Sequence, residues 1–528
     1  MQHSSQKPFG FLRSIFWPIH KTESKLVILM LALLFLLCIC YSILRNVKDT
    51  VILTAEASGA EVIPFLKVWG ILPGVFLMTW VYTRLLRRFS REKVFYIMIS
   101  FFLSYFLLFA FVIHPHSKEL HLHALGDLLT EKLPEGFHGL IAFIRNWTFT
   151  SFYVISELWA VTVLSVLYWG YANEISGVHQ AKRTYGILNI GSNVAPILGG
   201  GLALFFTGQL SSSSMGEESL AWGKTIQHLA CLIAVLGVAA MGVFFWIHRF
   251  LKSMGQAPKS TGYTEKNQDA KVRLSMRESI RYIGRSPYLL CLALIVLGYN
   301  ISINLTDVLW KEQLKHFFAN PNEMLAHMNQ ITMGIGVFAT LGGLFFAYMV
   351  QKWGWTLPAI LTPAAMLVMA IGFFSFLFFG DFLSAFTFSL LGLSPLACTV
   401  YCGSIQNCLS KSGKYSLFDA SKELAFLPLD AEARLKGKAA IDGLGSGLGK
   451  SGASLMYQGF IILAGSVALS APYVAMILAI VLGAWTLSVV FVGKQFKVIS
   501  AQEKPNSALE EPSEEILVHT HTKGLEHV

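Results

Sequence analysis

Charge is what this chain has least of. Only 14% of its 528 residues are Asp, Glu, Lys or Arg, against about 25% in a water-soluble domain. So little charge cannot cover a water-facing surface, which excludes an ordinary soluble enzyme or binding module. Cysteine is sparse too. The seven (Cys38, Cys40, Cys231, Cys291, Cys398, Cys402 and Cys408) lie in apolar runs and form no Cys-x-x-Cys. That pattern supplies neither a zinc site nor a disulfide framework. The first 24 residues carry no cleavable signal pattern, because the first long apolar run reads as a span. A complete phosphate-binding loop is also missing. Gly445-Ser446-Gly447-Leu448-Gly449-Lys450-Ser451 imitates its end, but the loop needs glycine where Leu444 stands and a strand before it. Small residues permitting close helix packing are the simpler reading. His114, His116, His121, His123 and His138 are read as solvated loop residues, so no metal and no cofactor is expected.

What is present in excess is apolar length. Hydrophobic residues make up 54% of the chain, with 40 Phe and a mean hydropathy of +0.56. Runs long enough to span a bilayer, about 20 residues each, fall near 25–53, 62–86, 93–113, 147–173, 184–208 and 223–248. A second set falls near 287–311, 328–350, 356–379, 383–408, 444–470 and 472–496. The expectation is an all-α polytopic membrane protein of about 12 transmembrane helices in two six-helix halves. It divides into a cytoplasmic N-terminus (1–24), a first bundle (25–248), a basic linker (249–286), a second bundle (287–497) and a disordered tail (498–528). The second bundle contains a polar segment, 410–437, expected outside the membrane in the cytoplasm.

The net charge of +10 would suit nucleic acid if it were spread over one face. Instead the cations sit in alternate loops: Arg84, Arg87, Arg88, Arg91 and Lys93; Lys182 and Arg183; and the run from Arg249 to Arg285. Glu56, Glu61, Asp127, Glu131, Glu217 and Glu218 occupy the loops between. This is the positive-inside pattern, and it places both termini in the cytoplasm, with the lipid bilayer as partner and no nucleic acid.

Four spans carry polar residues on one helical face, where a charge at the bilayer centre costs about 2.5–3.5 kcal/mol. The first has Tyr41, Arg45, Lys48 and Asp49, and the fourth Asn146, Thr150, Tyr153 and Glu157. The seventh has Asn300, Asn304, Asp307 and Lys311, and the eleventh Asp442, Ser446, Lys450 and Ser454. Their spacing of three or four residues puts each set on a single stripe. Mutual pairing, or snorkelling near the ends for Arg45 and Lys311, is one explanation. A shared water-filled cavity is the other, and four stripes favour it. Tyr41, Ile43, Asn46 and Asp49 recur as Tyr299, Ile301, Asn304 and Asp307, each displaced by 258 positions. Such repeats are how many transporters build a site near the midplane that opens alternately to either side. The order of six spans, basic loop and six spans is major-facilitator-like.

The segment 414–430 (KYSLFDASKELAFLPLD), with 436–442 (KGKAAID) and 448–451 (LGKS), resembles the signature region of the ATP/ADP translocase family of intracellular bacteria and plastids. Residues 44–49 (LRNVKD), 156–159 (SELW), 168–173 (YWGYAN) and 304–311 (NLTDVLWK) extend the likeness, which is nearest to the chlamydial members. The resemblance implies an ATP/ADP antiporter of the bacterial inner membrane, not an enzyme, acting as a monomer on ATP and ADP. A broad, proton-coupled nucleotide importer is the alternative within the family, and a phosphate-transferring membrane enzyme the alternative outside it. It also implies that four buried charges serve transport, and these fall on Lys48, Glu157, Asp307 and Lys450. The family acid at the third position is commonly Glu, so Asp307 is a departure. Substrate contacts are further expected from Arg45, Asp49, Asn304, Tyr153 and Asn146. Tyr41, Tyr153 and Trp159 are the aromatic candidates for the base.

Overall fold

In a computed structural model the protein is described at residues 19, 21–176, 178–210, 218–254, 276–429, 433–434, 436–438, 440–442 and 448–507. Twelve principal helices follow one another: α1 (Lys21–Leu53), α2 (Val62–Leu86), α3 (Arg91–Ile113), α4 (Trp147–Ile175), α5 (Val178–Leu210) and α6 (Glu218–Ser253). The second half has α7 (Pro287–Phe317), α8 (Pro321–Trp353), α9 (Thr356–Leu391), α10 (Pro395–Gly413), α11 (Ala453–Ala464) and α12 (Val467–Ser507). Among the described residues, ten are long and apolar enough to cross a membrane. The two outside that measure are α10 and α11.

Local chemistry sets the breaks. Ser286, Asn320 and Ser394 each accept a hydrogen bond from a backbone N–H of the first turn, and each is followed by proline at the first helical position. The expected boundary between a span ending at 379 and one starting at 383 is corrected. Phe379 leaves helical geometry (φ −115°), yet the helix resumes and runs on to Leu391. The true break is Gly392, in left-handed conformation (φ 64°), with the Ser394 cap and Pro395 behind it. The polar stretch that begins at 410 does not leave the helix either. A π-helical turn (Lys414–Phe418) and a helix (Asp419–Ala425) prolong α10 without interruption. Its polarity has a packing cause, since Ser410, Ser412 and Ser416 are buried against neighbouring helices and not exposed to lipid. At the far end, α12 reaches Ser507, so residues 498–507 of the expected disordered tail are helical.

The halves meet along α5 and α8, where glycine permits near contact of backbones. A Cβ on Gly200 would stand 2.9 Å from the Asn329 carbonyl oxygen, and one on Gly336 would stand 2.9 Å from that of Asn193. Both separations are below normal contact, so neither position has room for a side chain. The described polar contacts between halves cluster at one end of the bundle. Asn46 Nδ2 donates to Asn329 Oδ1 (2.7 Å) and Thr332 Oγ1 (2.9 Å), and Arg45 donates to Thr332 (3.1 Å). The Ala60 N–H donates to Glu312 (3.2 Å), Lys315 donates to the Ser58 carbonyl, and Gln458 donates to the Pro64 carbonyl (2.9 Å). Together they seal the end where α1 and α7 finish.

The histidine-bearing loop lies at that end and is partly structured. His121 Nε2 pairs with Thr148 Oγ1 at 2.6 Å, and His123 Nε2 pairs with the Lys118 carbonyl at 3.1 Å. Burial pushes His114 and His121 down to about 4, each helped by a neighbouring histidine, so both are neutral near pH 7. His114 packs against the Phe109 and Phe149 rings.

Candidate functional site

A cavity of about 530 Å³ lies between the halves, inward of the seal. Its wall is drawn from α1 (Tyr41, Arg45, Lys48, Asp49), α2 (Lys67, Ile71, Leu72, Val75) and α4 (Tyr153, Glu157, Val161). From the second half come α7 (Tyr299, Asn300, Ile303, Asn304, Asp307, Lys311), Lys411 of α10, and Lys414, Tyr415 and Ser451. Its size falls within the ordinary range for a small-molecule site.

Charge on the wall is organised as a ladder in which acid and base alternate across four helices. Glu157 on α4 lies 3.4 Å from Lys48 on α1, which lies 3.0 Å from Asp49. Asp49 then reaches across the halves to Lys311 on α7 at 2.9 Å. Lys311 pairs with Asp307 at 2.7 Å, and Asp307 pairs with Lys411 on α10 at 3.2 Å and accepts from Asn407 at 3.0 Å. The inner rungs are nearly dry. Lys48, Asp49 and Lys311 have side chains 4–5% exposed, whereas Glu157 is 30% exposed and faces the open space. Buried charges of one sign would be expelled or neutralised; alternation is what lets them stay charged. Lys48 also stands 3.8 Å from the centre of the Tyr153 ring, a cation–π contact that fixes its direction.

Counting the described wall gives six cations (Arg45, Lys48, Lys67, Lys311, Lys411, Lys414) and three carboxylates (Asp49, Glu157, Asp307). The excess of positive charge, gathered on the wall of one cavity, suits a polyanion. Along α7 the lining changes character, since Tyr299 lies eight residues, or about two helical turns, from Asp307.

The sequence-based candidates divide clearly. Arg45, Lys48, Asp49, Tyr153, Glu157, Asn304 and Asp307 are brought together on the cavity wall. The side chain of Lys450 lies outside the described residues. Asn146 is not at the cavity. It is buried at the start of α4, where its Nδ2 donates to the Glu56 carbonyl at 3.0 Å and so ties down the loop after α1. Trp159 is fully buried, its indole N–H donating to the Leu37 carbonyl at 3.2 Å, and it has no face left for a base. Asp442 pairs with Lys422 at 2.8 Å, away from the ladder. Snorkelling does not describe Lys311, which is buried between two aspartates.

Lys67, Lys411, Lys414, Tyr299 and Tyr415 escaped the sequence reading. Lys67 had a signal, being the lone charge in the apolar stretch from Val62 to Thr83. Asn407, Lys411 and Lys414 had one as well, with i, i+4, i+7 spacing on one helix that the reading cut between 408 and 410. A further feature is invisible without coordinates. Of the five π-helical turns among the described residues, four carry wall residues: Leu66–Ile71, Ala160–Tyr168, Lys414–Phe418 and Leu448–Gly452. Such turns are frequent at functional sites.

The repeat seen in sequence is expressed here. Tyr41 and Tyr299 both line the cavity, as do Asp49 and Asp307. Asn46 and Asn304 both bond across the halves, Asn46 to α8 and Asn304 to Lys67 of α2 (2.7 Å).

Comparison with known proteins agrees with this architecture. Among solved structures, the crystal structure of the D-xylose-proton symporter superposes with a TM-score of 0.50 at 15% identity. The match covers 88% of this chain and 96% of that one, a likeness of fold. The chain is 40% identical over 510 residues to ADP,ATP carrier protein 1 of Chlamydia muridarum, covering 96% of this chain and 95% of the relative. It is 38% identical over 473 residues to the chloroplastic ADP,ATP carrier protein 1 of Arabidopsis thaliana, covering 90% of this chain and 74% of the relative. The family model of the TLC ATP/ADP transporters matches residues 2–496. By that match, which takes in every residue of the cavity wall, this chain belongs to the TLC ATP/ADP transporter family.

Proposed function

We propose that this chain exchanges ATP for ADP across a bacterial inner membrane by alternating access, with no covalent chemistry of its own. One observation carries the reading: a single cavity between the two halves whose wall sets six cations against three carboxylates, with tyrosines and aliphatic side chains beside them. Phosphates would lie against Lys48, Lys311 and Arg45, with the base toward Tyr299, Val75 and Val161. Glu157, the exposed acid of the ladder, is the group a phosphate would displace from Lys48. The functional unit in this reading is the monomer.

Orientation follows from loop charge. With both termini in the cytoplasm, the sealed end faces outward and the cavity faces the cell interior. Cysteines placed singly between 84 and 93, on a Cys-free background, should resist an impermeant thiol reagent in intact cells. Labelling from outside would invert the topology.

Exchange is distinguished from net import by what the opposite side must contain. Vesicles preloaded with ADP should take up labelled ATP at least tenfold faster than empty ones. Equal uptake, or uptake raised only by a pH gradient, would replace antiport with the proton-coupled importer.

A further inference from the structure

Among the described cations of the wall, Lys48, Lys311, Lys411 and Lys414 each have a carboxylate within ion-pair distance. Arg45 and Lys67 do not, and Arg45 is taken up by the seal, where it donates to Thr332 at 3.1 Å. The described side-chain contact of Lys67 is also a neutral one, the Asn304 Oδ1 atom at 2.7 Å. The repeat shows what that contact would need if holding the halves together were its whole purpose. At the equivalent position on α1, Asn46 is met by Asn329 and Thr332, two neutral groups on α8. Where amide and hydroxyl suffice on one side, α2 supplies a cation on the other, and a partly buried ammonium satisfied by one amide oxygen is poorly compensated. The side chain issues from the π-helical turn Leu66–Ile71, which turns it toward α7 and the cavity. It stands within electrostatic range of Asp307, Asp49, Lys48 and Lys311.

We propose that Lys67 is a phosphate-binding residue, held by Asn304 in the empty carrier and transferred to the polyphosphate chain of the nucleotide when it binds. The assignment rests on the ATP/ADP reading above and adds to it a contact from the half opposite α7. A Lys67 ammonium released from an amide to a phosphate exchanges a neutral hydrogen bond for a charge-assisted one, roughly twice as strong. Purified wild-type and Lys67→Gln carriers are titrated with ATP and, separately, with inorganic tripolyphosphate, each followed directly by calorimetry. The variant should lose on the order of tenfold affinity for both ligands, with its melting temperature without ligand little changed. Lys67→Arg should recover part of the loss for both. An equal affinity of variant and wild type for tripolyphosphate would overturn the proposal, because Lys67 would then act on the base or on the fold. A fall in melting temperature with unchanged affinity would overturn it as well. If the wild type binds tripolyphosphate but not ATP, the nucleotide reading fails while Lys67 can still be scored on the tripolyphosphate arm.

Discussion

Lys311→Met should be the most damaging single charge removal in the protein, lowering its stability in detergent by about 3–5 kcal/mol. The lysine is the rung on which the ladder crosses from one half to the other, within 2.9 Å of Asp49 and 2.7 Å of Asp307. Its removal leaves two buried carboxylates facing each other with their shared counter-charge gone. Lys48 and Lys411 still hold the outer ends, so the protein should fold, but with a markedly lower melting temperature and a sharp loss of exchange. A second change tests whether the charge or the shape of Lys311 matters. In Lys311→Met with Asp49→Asn, one acid and one base have left together, and most of the stability should return. Exchange should not return with it, because the remaining groups no longer bridge the halves. A single mutant that melts like wild type would show that the ladder contributes nothing to the folded state.

The second large effect is on binding. Lys48→Gln should weaken ATP and ADP binding by about ten- to a hundredfold, the consequence of losing a charge-assisted contact of roughly 1.5–3 kcal/mol. Lys48 is held at 3.0 Å from Asp49 and 3.4 Å from Glu157, with its ammonium over the Tyr153 ring. Those contacts aim it at the cavity while leaving one partner, Glu157, replaceable. Arginine should not substitute well, since a planar fork cannot occupy the place of a compact ammonium between two carboxylates and a ring. The competing explanation is that Lys48 only neutralises Glu157. In that case Lys48→Gln combined with Glu157→Gln should transport as well as wild type. Affinity and exchange rate of the single and double variants decide the matter, and full recovery in the double variant would remove Lys48 from the phosphate site.

Much of the architecture was legible because membrane insertion writes itself into composition. Spans, loop charge and the cavity stripes of α1, α4 and α7 all follow from where a charge can exist in hydrocarbon. The misreadings share one physical cause. Hydropathy tells lipid from water but not lipid from the interior of a bundle. Residues 410–425 continue α10, with Ser410, Ser412, Ser416 and Ser421 buried and Lys411 and Lys414 on the cavity wall, so setting the stretch apart as a polar segment hid Lys411. Asn146 failed in the opposite way. It lies on the stripe of Tyr153 and Glu157, yet it is about three turns from Glu157, and at that height the stripe faces the loop after α1. Periodicity gives the angle of a residue about its helix but not the height at which the cavity stops. Trp159 is two positions from Glu157, about 200° round the helix, and its indole sits against α1.

The π-helical turns on the cavity helices have a consequence for how the site can change over generations. A membrane helix seldom tolerates a missing residue, because the hydrogen-bond ladder must then be rebuilt in a medium with no water to help. A wide turn holds one residue in reserve. Deleting a single codon within the turn Ala160–Tyr168, or within Lys414–Phe418, would restore ordinary α-geometry there and leave every backbone group paired. A π-turn spends five residues on nearly the rotation that four take in an α-turn, so residues beyond the deletion would keep their faces and only those inside the turn would move. Such a carrier would still insert and fold while the wall residues of that turn, Val161 in one case and Lys414 and Tyr415 in the other, met its cargo differently, a route to new cargo through length alone.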